Sequence, residues 1–212
     1  MSTIVLIRPG CTAFDTESRL QGTLDLPLNK RGEEQVKQLL AEIQSLNIEI
    51  VFASPCEPAR GLAEEIGQEL GVPVKEIEDL SNFSFGLWQG LCIEDLKRKH
   101  PRVYKQWHES PHNVRPPEGE TLSEAESRVH SALERPIKRE IPCAIVVPDP
   151  LFSLIASILE GTPFEMPTPG EESVPCKLWK EIPTSQAREV FFARFGGPGH
   201  SSAELVIPRL EK

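Results

Sequence analysis

Long apolar runs and phosphate-binding glycine loops are both missing from this 212-residue chain. No apolar stretch approaches the ~20 residues that a membrane-spanning helix needs. The apolar start of the chain, residues 3–7, is too short for the core of a signal peptide and is better explained as a buried strand. The glycine-rich stretch 196–199 is not followed by Lys and Ser or Thr, so it is interpreted as a turn.

Cysteines are few, odd in number and form no Cys-x-x-Cys pair, which favours reduced thiols in a cytoplasmic protein over a disulfide framework or a zinc site. They are Cys11, Cys56, Cys92, Cys143 and Cys176. Basic residues are outnumbered by acidic ones, and the net charge of -9 argues against nucleic acid or an anionic membrane as a partner. No metal and no cofactor is expected.

Apolar runs of strand length alternate with segments of helical periodicity, a pattern typical of an α/β fold with a mainly parallel sheet. Repeats, low-complexity tracts and linkers are absent, so we predict one domain over residues 1–212. We expect a three-layer α/β/α sandwich. Its predicted strands are residues 3–7, 48–53, 72–77, 144–147, 189–195 and 205–207.

Helix signals lie between these strands. Asn29 can cap a first long helix, Gly71 can close a second, and Thr121 with Glu124 forms a capping box. The helix that begins at Thr121 is predicted to end near residue 135, before Pro136. A buried helix over 151–160 follows the fourth predicted strand. The aromatic and proline-rich middle, 82–120, favours short helices and loops.

Six short motifs occur along the chain in one order. They are residues 6–12 (Leu-Ile-Arg-Pro-Gly-Cys-Thr), 19–28 (Arg-Leu-Gln-Gly and Asp-Leu-Pro-Leu), 54–59 (Ser-Pro-Cys-Glu-Pro-Ala), 85–90 (Phe-Gly-Leu-Trp-Gln-Gly), 117–121 (Pro-Glu-Gly-Glu-Thr) and 147–150 (Val-Pro-Asp-Pro). Together they resemble the motifs of the histidine phosphatase, or phosphoglycerate mutase-like, superfamily. The resemblance covers about residues 3–163 and implies the fold predicted above.

The resemblance also implies which residues stand at the catalytic positions. In the family one histidine carries the phosphoryl group, a second histidine and two arginines hold the phosphate, and a glutamate supplies the proton. Here the first arginine is kept as Arg8. The other four positions hold Pro9, Pro58, Asn82 and Asp149. The family mechanism is incompatible with these four residues, so the chain is identified as a degenerate member that lacks the catalytic histidines.

The same alignment predicts an acidic pocket. Asp15, Glu57 and Asp149 are expected near it, and Arg8 is expected to pair with Asp149 rather than with a phosphate. Pro9 and Asp149 should lie side by side at adjacent strand ends. Two thiols, Cys11 and Cys56, should border the pocket as inert groups, because a reactive thiol needs an electropositive setting. Two surface histidines, His108 and His112, could reach over it. The predicted binding residues are Arg8, Cys11, Asp15, Glu57 and Asp149.

Three functions follow as hypotheses. The first is a pseudoenzyme that binds an unknown protein or small molecule as a regulatory or scaffolding module. The alternative is a phosphatase with weak or altered activity on a phosphate ester, for which Asp149 could serve as a base or Cys11 as a nucleophile. The third is a purely structural subunit of a homo-oligomer.

Overall fold

The computed structural model describes residues 2–168, 170 and 177–196. Its strands are β1 (Thr3–Ile7), β2 (Ile50–Ala53), β3 (Val74–Glu76), β4 (Cys143–Val146) and β5 (Trp179–Pro183). Its helices are α1 (Ala13–Thr16), α2 (Lys30–Ile43), α3 (Ala59–Leu70), α4 (Ile93–Lys99), α5 (Pro101–Glu109), α6 (Leu122–Lys138), α7 (Leu151–Glu160) and α8 (Thr184–Phe195). Short 3-10 turns lie at Glu78–Leu80, Gly86–Trp88 and Pro111–Asn113. The first four predicted strands are confirmed within two residues at each end.

The five strands form one sheet in the order β3-β2-β4-β1-β5, with β5 antiparallel and the other neighbours parallel. Successive strand residues point to opposite faces of a sheet, and the core is divided accordingly. Ile4 and Leu6 of β1 belong to the apolar cluster that packs under α6, α7 and α8. Val5 and Ile7 belong to the cluster under α2 and α3. The predicted α/β fold with a mainly parallel sheet and helices on both faces is confirmed.

The predicted helix signals are also present. The Asn29 side chain accepts a hydrogen bond from the Gly32 N–H at 2.9 Å, which caps α2. Thr121 and Glu124 form the capping box of α6. Gly71 closes α3 and Gly161 closes α7, each in the left-handed conformation that glycine adopts without a steric penalty. The segment 82–120 contains helices and turns without a strand.

Two predictions at the carboxyl-terminal side are wrong. Residues 189–195 are helical, within α8, and the edge strand is β5 instead. The buried residues of this helix are Thr184, Ala187 and Phe191, at spacings of three and four, so its burial follows a helical period. The end predicted for α6 is also wrong, because the helix continues through Pro136 to Lys138. Pro136 has no backbone N–H and so cannot donate the usual hydrogen bond within the helix. Its side chain is buried together with Leu133 and Ile137, and this packing favours the helical conformation there.

The predicted strand over 205–207 lies outside the described residues, and the single domain over 1–212 stays a prediction. Among the described helices, none combines the length and the apolar character needed to cross a membrane.

Candidate functional site

The candidate site lies where β1 and β4 end side by side. Ile7 pairs with Val146 in the parallel register, and the Val147 N–H donates to the Ile7 carbonyl at 3.0 Å. The chain therefore leaves both strands at the same edge, and Pro9 and Asp149 line one cavity. The carboxyl edge of a parallel sheet is the usual place for a ligand site. The predicted juxtaposition of these two residues is present.

Arg8 is the central charge of this cavity and is bound by two carboxylates. Its guanidinium contacts Asp149 Oδ2 at 2.5 Å and Asp15 Oδ1 at 3.3 Å. All three side chains are largely buried, with 10%, 14% and 17% of the side-chain surface exposed for Arg8, Asp149 and Asp15. The predicted ion pair between Arg8 and Asp149 is present, and Asp15 supplies a second anion.

Both carboxylates are held in place by the start of a helix. Asp15 Oδ2 accepts hydrogen bonds from the Thr12 N–H at 2.8 Å and the Thr12 hydroxyl at 2.9 Å. Asp149 Oδ1 accepts from the Ser153 hydroxyl at 2.7 Å and the Ser153 N–H at 3.2 Å. A charged group needs several such partners when it is withdrawn from water. Each carboxylate thus uses one oxygen for its own helix and the other for Arg8.

Asn82 holds the loop that carries Asp149. The side chain is buried, and its amide nitrogen donates to the backbone carbonyls of Gly22 and Asp149, both at 2.9 Å. Its amide oxygen accepts from the Phe83 N–H at 2.9 Å. Asn82 is not among the residues that line the cavity, so at this position the chain has a structural hydrogen-bond donor.

A second buried ion pair, between Arg128 and Glu120, lies next to Asn82. Arg128 of α6 contacts Glu120 at 2.8 Å, and it also donates to the carbonyls of Ser81 at 2.6 Å and Asn82 at 3.3 Å. Glu120 in turn accepts from the Ser84 N–H at 2.8 Å. In the sequence, Glu120 belongs to one of the six motifs, and no signal marks Arg128. This network fixes residues 79–84 against α6.

Pro58 lines the cavity, whereas its neighbour Glu57 does not. Glu57 Oε1 accepts from Arg60 at 2.7 and 3.0 Å, and Oε2 accepts from the Gly61 N–H at 3.1 Å. These bonds hold the carboxylate at the start of α3, where the helix dipole favours a negative charge. The expectation that Glu57 contributes to the pocket is therefore corrected, and the acidic residues among the described lining are Asp15 and Asp149.

The thiols predicted at the border of the cavity are buried behind it. Cys11 is 1% exposed and Cys56 is 8% exposed, and neither lines the cavity. The loop that carries Cys11 packs closely on α2. The approach leaves no room for a side chain on Gly32, since a Cβ there would lie 2.2 Å from the Cys11 carbonyl oxygen. In β4, burial raises the pKa of the Cys143 thiol to about 12, so it stays protonated at neutral pH.

The cavity is small, with a volume of about 50 Å³, and proline is its most frequent lining residue. Pro9, Pro58, Pro148, Pro150 and Pro167 contribute, and none of them has a backbone N–H to offer an anion. The remaining lining residues are Gly10, Thr12, Phe14, Arg19, Gln21, Phe85 and Thr168 together with the Arg8 cluster. No sequence motif indicates that Phe14, Pro167 and Thr168 line the cavity.

Arg19 and Thr168 lie at the cavity rim, and each has a hydrogen-bond partner outside the cavity lining. Arg19 contacts Glu17 at 2.6 Å and donates to the Gly90 carbonyl at 2.8 Å, and the bond to Glu17 raises the pKa of Arg19. His108 of α5 lies 2.7 Å from the Thr168 hydroxyl, so it does reach the rim, whereas His112 is exposed and does not line the cavity. Arg8 and Arg19, the two arginines of the described lining, are thus both ion-paired.

The cavity offers little that phosphoryl transfer requires. Its described lining contains no histidine, and the two acidic residues would repel a phosphate. Within the described ranges, no group of His, Cys, Asp and Glu is arranged to hold a metal ion. The cavity is a proline-rich recess in which Arg8 is ion-paired with two carboxylates.

Comparison with protein families gives a match that covers most of the chain. Residues 4–167 match the family described as "Histidine phosphatase superfamily (branch 1)".

Among curated relatives, phosphoserine phosphatase 1 of Hydrogenobacter thermophilus is 29% identical over 147 residues, which are 69% of this chain and 70% of that protein. The probable phosphoglycerate mutase GpmB of Escherichia coli is 31% identical over 134 residues. This match covers 63% of this chain and 62% of the mutase, so the chain spans less than two thirds of that relative.

Solved structures give the same fold. A mycobacterial glucosyl-3-phosphoglycerate phosphatase has a TM-score of 0.70 at 21% identity and covers 77% of this chain and 83% of its own. The α-ribazole phosphatase of Shigella flexneri has a TM-score of 0.67 at 26% identity and covers 76% and 81%.

Proposed function

The chain belongs to the histidine phosphatase superfamily, and we propose that it is a non-catalytic member that binds a protein or small-molecule ligand as a regulatory or scaffolding module. The fold supplies the framework, but the side chains at the catalytic positions decide the chemistry. Four of those positions hold residues that neither carry nor clamp a phosphoryl group, namely Pro9, Pro58, Asn82 and Asp149.

One observation carries this proposal: the Arg8 guanidinium lies between the carboxylates of Asp15 and Asp149. In a phosphatase of this family the corresponding arginine has to meet the phosphate. A phosphate ester would have to displace two anions that are already hydrogen-bonded to their own helices. The displaced carboxylates of Asp15 and Asp149 would still lie near Arg8 and would repel the phosphate. Two unit charges 4 Å apart interact by ~4 kcal/mol at an effective dielectric of 20.

The alternative is a phosphatase with weak or altered activity, and the names of the relatives favour it. Those relatives are named as phosphatases and phosphoglycerate mutases. Such activity would need Cys11 as a nucleophile or Asp149 as a base, and neither side chain is available for that role. Cys11 is buried away from the cavity, and both oxygens of Asp149 already have partners. On the geometry of the site we prefer the non-catalytic function.

A turnover screen separates the two functions. Wild-type protein, an Arg8→Ala variant and a catalytically intact relative are assayed on p-nitrophenyl phosphate, phosphoserine and 3-phosphoglycerate. We expect wild type to release phosphate at the rate of the buffer blank while the relative is active. Turnover that survives repurification and disappears in Arg8→Ala, but persists in the distant Lys37→Ala variant, would establish the alternative.

A further inference from the structure

Positive charge is concentrated at one exposed corner of this acidic protein, where α4 meets α5. Residues 97–105, here called the basic elbow, contain five of the 23 Lys and Arg of the chain, and no Asp or Glu lies between residues 96 and 108. They are Lys97, Arg98, Lys99, Arg102 and Lys105. Outside residues 93–113 the chain has 29 acidic and 18 basic residues, so the elbow contrasts in charge with the rest of the molecule.

Part of this charge has a local explanation. Lys97 pairs with Glu94 at 2.8 Å and Arg98 with Asp95 at 2.7 Å, and cations near the end of α4 suit the helix dipole. Lys105 has only a long contact of 3.8 Å with Glu109. The last two cations, Lys99 and Arg102, are exposed and form no ion pair with any described residue.

The helices of the elbow are anchored in the core. Ile93 and Leu96 of α4 and Trp107 of α5 are buried in the core. The Trp107 ring meets Phe85 edge-on at 5.7 Å and Trp88 at 5.9 Å. A surface that is ordered before binding loses less conformational entropy when a partner docks. The exposed cations therefore stand on a fixed support.

We propose that the basic elbow is a docking surface for a short acidic segment of a partner protein. Val103, which follows Arg102 in α5, has 37% of its surface exposed and adds one apolar contact beside the cations. The elbow is separate from the cavity, so this proposal holds whether or not the chain has phosphatase activity.

The charge distribution favours a short segment over a large anionic surface. A peptide of a few residues touches the elbow alone and experiences its local field, because salt screens charges beyond about 8–10 Å. A membrane or a nucleic acid duplex extends past the elbow and meets the acidic remainder of the chain. One exposed valine also provides little apolar area for insertion into a bilayer.

Fluorescence anisotropy tests the proposal on the full-length protein. The probe is a fluorescein-labelled peptide, Glu-Glu-Glu-Leu-Glu-Glu-Glu, titrated at physiological ionic strength. The Lys99→Glu/Arg102→Glu variant should bind it at least about tenfold more weakly, since two attractions become repulsions. The control, Lys37→Glu/Lys75→Glu, has the same net charge but changes exposed residues outside the elbow, on α2 and on β3. It should stay within about twofold of wild type.

Three results would overturn the proposal: no binding of the peptide by wild type, equal losses in the two variants, or tighter binding to phosphatidylserine-containing vesicles or a DNA duplex than to the peptide. Unchanged melting temperatures in both variants serve as the folding control. Binding that is lost only when the elbow is reversed supports it.

Discussion

Arg8 is a charged residue whose role is set by its neighbours. With 10% of its side chain exposed, it requires compensation, and Asp15 and Asp149 provide it from the starts of two different helices. An anion reaching Arg8 would therefore replace contacts that already exist. A retained arginine is therefore compatible with the proposal that this site does not bind phosphate.

Neutralising the two carboxylates should restore anion binding. We expect phosphate, sulfate and vanadate at millimolar levels to leave the melting temperature of wild type unchanged beyond an ionic-strength control. The Asp15→Asn/Asp149→Asn variant keeps amide oxygens for Thr12 and Ser153 but removes both negative charges. Phosphate at ten times its dissociation constant should stabilise this variant by about 1.4 kcal/mol. A specific shift of the same size in wild type would contradict the account.

Asn82→Ala should destabilise the protein without involving any ligand. The substitution removes three hydrogen bonds, because the amide donates to the carbonyls of Gly22 and Asp149 and accepts from the Phe83 N–H. The expected loss in the free energy of unfolding is about 1–3 kcal/mol, measured by urea denaturation. Asn113→Ala, at an exposed position in a 3-10 turn, is the matched control and should change it little. Equal effects of the two substitutions would argue against the structural role of Asn82.

Residues at strand ends could be placed from the sequence, whereas residues in long loops could not. Pro9 and Asp149 follow apolar runs whose parallel pairing brings them together, so their proximity follows from the fold. Pro167 and Thr168 lie in a segment without periodicity, and only the tertiary structure brings them to the rim. Glu57 was misplaced because its orientation depends on a local bond to Gly61.

Among the helices, α3 depends on Glu57 for its start. Pro58 is its N-cap residue and has no side-chain hydrogen bond to give, and the carboxylate of Glu57 instead accepts from the Gly61 N–H. We expect Glu57→Ala to reduce the free energy of unfolding by about 1 kcal/mol, as for the loss of a helix cap. Thermal denaturation measures this, and Glu64→Ala on the exposed face of α3 is the control. A Glu57→Ala protein as stable as the control would remove the capping role.

The edge strand and the last helix show where sequence periodicity fails. Residues 189–195 are rich in aromatic and β-branched side chains, which favour a strand. Packing overrides this preference, because Phe191 of α8 is buried and stacks against His130 of α6 at 5.1 Å. In β5, Lys180 and Glu181 are exposed, as is usual for an edge strand, so no apolar run marked it.

At the scale of the whole molecule, the catalytic positions should act as a unit. We expect Pro9→His alone to be inactive, because the new histidine would face Asp149 and lack a phosphate clamp. The triple variant Pro9→His, Pro58→Arg, Asp149→His, which keeps Asn82 as a structural donor, should regain detectable hydrolysis of p-nitrophenyl phosphate, since residues of one catalytic unit are strongly non-additive. Activity of the single variant equal to that of the triple would contradict this. Melting temperatures establish that both variants are folded.

The measurement that tests the central claim most directly is the intact mass of the protein after reaction with a phosphoryl donor. Wild type is mixed with p-nitrophenyl phosphate, quenched within milliseconds to seconds, and analysed by mass spectrometry beside a catalytically intact relative. We predict only unmodified wild-type protein, while the relative shows the added mass of one phosphoryl group. A phosphorylated wild-type species that is absent from Arg8→Ala would contradict the proposal that this chain carries out no phosphoryl transfer.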